Sequence, residues 1–474
     1  MRDGFQLVGR IPYPMTEPKH LVIASEVATL DFLRINNIPV PKIYSYSTTS
    51  ENLAGTEYIF MELVRGAKLG DVWFDLPEKA RKTVITKLVQ LESQLFTLQF
   101  PGSGSLYYAK DLDADVQRTN VPVADNASVE GFCVGPDTSL HLWYGKRLSL
   151  QVGRGPYATS TAVLAAGAEK ETAYLKKFGK PIHPLGLLYR DIYVYQKQSP
   201  SEHLGNLHKY LQIVPHLTPG GNGDLARPTL RHPDLTPNNV FVSENLDVTG
   251  LIDWQYCTIL PLFLQCGIPD SLQNYGDSVS ESLVPPELPP NISELSEREQ
   301  YEQVELLRRR QLHYFYVTGT EKFNLLHCRA LCHDFSVIRR KIFDHASSPW
   351  EGNSVSLKAD LVHLVRQWDS FTASNSSTND GIRQPCPISF SEEEMAECLR
   401  LNTAQIEADE QLKAARDAIG VGSEGWVPLD QYDEIKERDR ILKNNALAAA
   451  ESEEERSMMD EHWFFDDFDE DEYL

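Results

Sequence analysis

The chain has 474 residues, 41% hydrophobic and 10% aromatic, and a formal net charge of −23. That length allows one large or two ordinary domains, and that apolar content excludes wholesale disorder. The acidity excludes a nucleic-acid backbone or an anionic membrane surface as the main partner, because both need a basic footprint.

A short strand is predicted over 5–11, ended by Pro12 and Pro14. A helix follows over 24–35, where Val27, Leu30 and Leu33 recur at helical spacing, and Ile38-Pro39-Val40-Pro41 breaks it. Strands over 42–46 and 57–63 flank a polar turn. A helix is predicted over 76–98, then a hairpin and loops over 102–157. Helices over 159–177 and 202–214 come next, and 230–252 alternates apolar runs with turn residues. Three more helices are predicted over 296–318, 320–345 and 354–369. Residues 371–385 are rich in Ser, Asn, Asp and Pro and read as a linker. Charged helical stretches over 391–418 and 430–450 follow.

No apolar run reaches the roughly 18 residues that span a bilayer. Seven cysteines, an odd number at low density, argue against a disulfide framework and for a reducing compartment. No secretory or transit leader is read in Met1 to Arg10, which has the pattern of folded sequence.

The segment Leu230-Arg231-His232-Pro233-Asp234-Leu235-Thr236-Pro237-Asn238-Asn239, followed by Gly250-Leu251-Ile252-Asp253-Trp254-Gln255, carries the chemistry. Asp234 lies in a turn-rich loop, and Asn239 stands five residues on, where an apolar strand begins. A second apolar strand ends in Asp253, and a hairpin would bring Asn239 and Asp253 together. Both supply hard oxygen ligands suited to Mg²⁺ on phosphates. Asp234 would accept a proton from an attacking hydroxyl. That is the set of parts for kinase-type phosphoryl transfer. The competing reading is that Asp234 and Asn239 only cap turns.

This segment resembles the catalytic region of the aminoglycoside phosphotransferase family, as do Ile38-Pro39-Val40-Pro41 and Tyr58-Ile59-Phe60-Met61-Glu62. Arg10-Ile11-Pro12-Tyr13-Pro14, Ser25-Glu26-Val27-Ala28-Thr29, Gly104-Ser105-Leu106-Tyr107-Tyr108 and Arg154-Gly155-Pro156 further resemble its fungal branch, the altered inheritance of mitochondria protein nine family. The resemblance covers about residues 5–370. It implies an α+β, two-lobed protein-kinase-like fold with a truncated N-lobe over 1–65, a mainly helical C-lobe over 66–370, and a linker, charged helices and acidic tail over 371–474. It implies ATP and Mg²⁺ as cofactors, Asp234 as catalytic base, and Asn239 and Asp253 as metal ligands. Arg10, Glu26, Met61 and Glu62 would line the nucleotide site, with the hinge near Met61 to Gly66. The acceptor would be a small-molecule hydroxyl, since no Ala-Pro-Glu-like activation segment is seen. A mitochondrial location rests on the resemblance alone.

Two departures stand out. Arg10 occupies the position where the family holds a lysine, and Arg is not a neutral exchange. Phe5 leaves no room before it for two strands and a glycine-rich loop, so an incomplete gene product or an open-roofed nucleotide site is expected. A non-catalytic pseudokinase scaffold is the alternative function.

Weaker motifs are set aside. Tyr189-Arg190-Asp191 lacks an Asn five residues on, and His327, Cys328, Cys332 and His333 are expected in core packing. Arg308-Arg309-Arg310 is expected to be a solvated face, Trp254 a buried anchor, and Gly220–Gly223 a connector. The charge itself is uneven: between Glu451 and Leu474 stand twelve acids and one Arg. Aromatics among these acids suggest a docking segment for a basic groove, in cis or on a protein partner, with solubilising disorder as the equal alternative.

Overall fold

The computed structural model describes residues 4–14, 16–122, 131–220, 223–375, 384–421, 427 and 429–466. Parts of the predicted connector at 220–223, the linker at 371–385 and the acidic tail lie outside the described residues. The protein is α+β and forms two compact units.

The first unit comprises Met1–Gly167, Val214–Arg340 and Phe371–Ile382. Its chain begins with β1 (Leu7–Arg10), α1 (Lys19–Ile35), β2 (Ile43–Ser47), β3 (Tyr58–Glu62) and β4 (Ala67–Lys68), then helix α2 (Glu78–Thr97). Strands β5 (Ser105–Tyr108), β6 (Thr119–Asn120), β7 (Phe132–Gly135), β8 (Pro228–Leu230), β9 (Val240–Val242), β10 (Val248–Leu251) and β11 (Ile259–Pro261) follow. The long helix α3 (Glu297–Phe323) comes after them. The strands form small sheets in the orders β1-β3-β2, β10-β9-β4, β5-β7-β6 and β11-β8.

Helix α1 starts at Lys19, not at Ala24 as periodicity predicts. Residues 21–30 are buried on every face, so the helix has no polar stripe to mark its first turn. This burial places Glu26, 2% exposed, inside the core. Antiparallel register sets Arg10 opposite Ile59 and Val8 opposite Met61, which presents Arg10 on β1. Gly66 has φ +120°, and a Cβ there would strike the Val242 carbonyl. The chain after β3 can therefore pass close to β9, where β4 pairs with it.

The predicted helix over 320–345 is two helices, Leu325–Leu331 and Ser336–Ser347. Asn324 ends α3 and caps the next helix, its side chain accepting from the His327 N–H. The Arg308-Arg309-Arg310 run is not a solvated face. Arg308 is 8% exposed and donates to the Trp73 carbonyl at 2.8 Å, while Arg310 forks onto Asp277. Of the three, Arg309 alone is exposed. Arg308 keeps an i,i+3 pair with Glu305 at 3.9 Å, but α3 packs against α2 and carries its guanidinium inward.

The second unit comprises Ala168–Ile213, Lys341–Ser370 and Arg383–Leu474. It is helical, and its helix Glu392–Ile419 opens on a Ser391/Glu394 capping box and closes on Gly420 at φ +86°. Val355, Ala359, Val362 and Cys398 form part of its core. Lys170 is fully buried, donating to Glu171 Oε2 and the Ser347 carbonyl at 2.9 Å each. The tail is partly folded in cis. Trp463 is 4% exposed and its Nε1 donates to Asp439 Oδ1 at 2.8 Å, while Lys443 pairs with Asp460 and Asp466.

Candidate active site

The site is built on the ends of short strands in the first unit. Strand β8 ends at Leu230 and delivers Arg231, His232 and Asp234. A 3₁₀ turn at Pro237–Asn239 then feeds β9, and β10 returns beside it. The Ile252 N–H donates to the Asn239 carbonyl at 3.0 Å, which brings the chain before Asp253 against Asn239. The Asn239 amide donates to Asp234 Oδ2 at 2.8 Å and to the Asp234 carbonyl at 2.9 Å. Asn239 is 8% exposed, while Asp234 stands in solvent. The amide therefore orients an exposed carboxylate from a buried base, and its oxygen end is the part that suits a hard cation.

His232 holds this loop together. The Asp234 N–H donates to its Nδ1 at 3.1 Å, so Nε2 carries the proton and donates to the Ile252 carbonyl at 2.8 Å. Burial pushes the imidazole down to about 4, against the opposing hydrogen bond to Ile252 and the charge of Asp253. Unfolding releases that histidine to its ordinary value, near 6.5. The unfolded chain then binds the proton that the folded site refuses, so the His232 contribution is complete above about pH 6.5 and is lost as pH falls toward 4. Urea denaturation across that window should show His232→Phe with a flatter loss than the parent; an identical slope would remove His232 as its source.

Arg10 joins three groups. Its Nη1 meets Glu26 Oε1 at 2.8 Å, and its Nη2 meets Asp253 Oδ1 at 2.7 Å and Gln255 Oε1 at 2.6 Å. Burial alone would lower the guanidinium pKa, yet Glu26 and Asp253 together raise it. Burial also pushes the Glu26 carboxyl up to about 7, against the pull of Arg10. Glu26 Oε2 is buried without a hydrogen-bond partner among the described residues. Asp253 sits at φ +64°, a left-handed conformation that Asp tolerates better than most residues and that clusters at functional sites. Trp254 behind it is fully buried, packed edge-on against His232 at 4.5 Å.

A cleft of about 520 Å³ runs past Arg10, Glu26, Asp253 and Gln255 to apolar walls that include Met61, Leu63 and Ile252. Met61 and Glu62 both line it, and the Glu62 carboxylate is tied to the Lys42 N–H at 3.1 Å. The structure thus gathers Arg10, Glu26, Met61, Glu62 and Asp253 at the cleft, and couples Asp234 and Asn239 to it through Ile252. Sequence reasoning assigned no role to His232, Gln255 or Arg231. The His-Pro-Asp and Ile-Asp-Trp-Gln strings hold two of them, but only folding shows what they touch. Arg231 donates to Glu92, the Gln265 and Gly267 carbonyls and Tyr316, at 2.8 to 3.0 Å.

No family model matches the chain. A subtelomeric hrmA-associated cluster protein of Aspergillus fumigatus is 30% identical over 484 aligned residues, covering 95% of this chain and 90% of its own. Altered inheritance of mitochondria protein 9, mitochondrial, of Scheffersomyces stipitis is 26% identical and covers 94% of this chain and 71% of its own. The protein of that name from Vanderwaltozyma polyspora is 24% identical, covering 94% and 70%. A solved structure from Ralstonia eutropha, assigned to the aminoglycoside phosphotransferases, covers 78% of this chain and 84% of its own at 10% identity, with a TM-score of 0.27. The chain belongs to the fungal family of these cluster and altered inheritance of mitochondria protein 9 relatives. With 95% of the chain matched, the likeness runs past the region of about 5–370 that the motifs mark. Among the described residues no helix is long and apolar enough to cross a membrane.

Proposed function

We propose that the chain is an ATP-dependent phosphotransferase of the kinase-like class, moving the γ-phosphoryl group of Mg-ATP to a hydroxyl of a small molecule. The observation that carries this reading is the convergence of Arg10, Glu26 and Asp253 on one cleft, with the Asp234–Asn239 pair hydrogen-bonded behind it. In this reading residues 1–65 form a partial N-lobe and 66–370 the C-lobe, with the hinge after Met61. The apolar walls near Met61, Leu63 and Ile252 take the base, and Arg10 meets a phosphate. Asn239 and Asp253 fit Mg²⁺ by their chemistry, two hard oxygen donors brought together by the Asn239–Ile252 bond, since Mg²⁺ is held by one or two carboxylates plus phosphates. When bound, Mg²⁺ neutralises charge on the transferring phosphates. Asp234, oriented by the Asn239 amide, accepts the proton of the attacking hydroxyl.

Thermal denaturation tests nucleotide binding. Mg-ATP at 100 times its Kd should stabilise the protein by about 2.7 kcal/mol, with the gain reversed by chelator. No stabilisation at millimolar Mg-ATP would overturn the nucleotide reading. One observation favours a scaffold without catalysis: the Arg10 guanidinium engages Asp253 Oδ1, an atom the reaction needs for metal. Stabilisation by ATP that ignores Mg²⁺, with no ADP formed, would decide for it. The relatives named mitochondrial support action in mitochondria, which cell fractionation checks.

A further inference from the structure

A cavity of about 860 Å³ lies within the second unit. Its floor is one face of the helix Glu392–Ile419, where Ala404, Ala408 and Ala415 stand at helical spacing. Small residues there leave a trough that a further helix can approach to the usual 8 to 10 Å or so between axes. Leu442, Met458 and Met459 come from the helices Tyr432–Ala449 and Glu453–Glu461. Unbranched, polarisable Met side chains adapt to a varied apolar face and recur where amphipathic helices are captured.

The rim has one sign. Asp191, Glu407, Glu454 and Glu455 line the groove, and among the described residues no Lys or Arg does. A strained turn is part of the lining. Val194 and Tyr195 sit consecutively at φ +48° and +54°, and a β-branched residue in that region is a true outlier. Such strain persists where surrounding structure enforces it, and it clusters at ligand clamps. Here Tyr195 is stacked on His462 at 4.7 Å, and Val194 is left 75% exposed beside the groove.

We propose that this groove docks a basic amphipathic helix of a partner protein, apolar face on the alanine and methionine floor and Lys or Arg against the four carboxylates. Charge complementarity selects that occupant. The proposal is independent of phosphoryl transfer.

The probe is a fluorescein-labelled peptide of about eighteen residues made of Leu and Lys, with leucines at i, i+3, i+4 and i+7. Anisotropy with the full chain should report a Kd in the micromolar range, weakening steeply with salt. A peptide of equal composition with leucines spread around the helix should bind at least roughly tenfold more weakly, because only a segregated face fits the floor. Glu407→Lys and Glu454→Lys, both at exposed positions, should together cost another factor of about ten. Equal binding of the two peptides would reduce the effect to net charge and overturn the proposal. So would an affinity untouched by the two substitutions. The peptide comparison needs no variant, so loss of folding cannot imitate the result.

Discussion

Arg231→Met should lower the free energy of unfolding by about 3–5 kcal/mol, the cost of removing one partner from a buried ion pair. The Arg231 guanidinium is the hub of a closed network. It donates to Glu92 Oε1 at 2.8 Å, to two backbone carbonyls at 2.8 Å and to the Tyr316 hydroxyl at 3.0 Å. Tyr316 in turn donates to Glu92 Oε2 at 2.6 Å. Glu92 is 2% exposed, so without Arg231 its carboxylate keeps one neutral donor and no counter-charge. The Gln265 and Gly267 carbonyls also lose their donor. Pairing Arg231→Met with Glu92→Gln should recover part of the loss, because the uncompensated charge is then gone. Urea denaturation of the two single variants and the double variant measures this. A change below about 1 kcal/mol for Arg231→Met would show that the network contributes no more than a surface pair. The consequence reaches the site, since Arg231 precedes His232 and anchors the end of β8.

Asp234→Asn should lower the rate of ADP formation by something like 10² to 10⁴, the usual worth of a positioned base, with little change in ATP affinity. Asparagine is the informative replacement. Its side-chain oxygen can still accept from the Asn239 amide, so the loop keeps its geometry while the basic atom is lost. Asp253→Asn should act differently, weakening the Mg²⁺ dependence of nucleotide binding, because a charged oxygen ligand becomes neutral. Coupled-enzyme assay of ADP with calorimetric titration of Mg-ATP separates the two effects. An unchanged rate in Asp234→Asn would remove Asp234 from the role of base.

Much of the candidate site is legible in the sequence because it is local. Asp234 and Asn239 lie five residues apart, and the hairpin that follows brings Asp253 back by a short apolar return. Turn chemistry and strand alternation read such proximity without knowledge of the rest of the chain. The start of α1 was not legible, since residues 21–30 are buried on every face and leave no polar stripe to mark it. The role of Arg308 was not legible either. A charged triplet on a helix reads as a solvated face, but the packing of α3 on α2 turns Arg308 inward to the Trp73 carbonyl.

In the sequence, docking and solubilising disorder stand as equal readings of the acidic tail; Trp463 and Lys443 tie part of it into a helical unit whose groove has an acidic rim. Residue types and short spacings determined which candidate oxygen donors and candidate base stand close together, and much of the helix–strand pattern, because those depend on neighbours along the chain. Tertiary structure decided the rest. Arg10 meets Asp253 across 243 positions, and Arg231 meets Glu92 across 139. Contacts at such separations leave no local pattern, because burial and charge pairing act through space and not along the backbone.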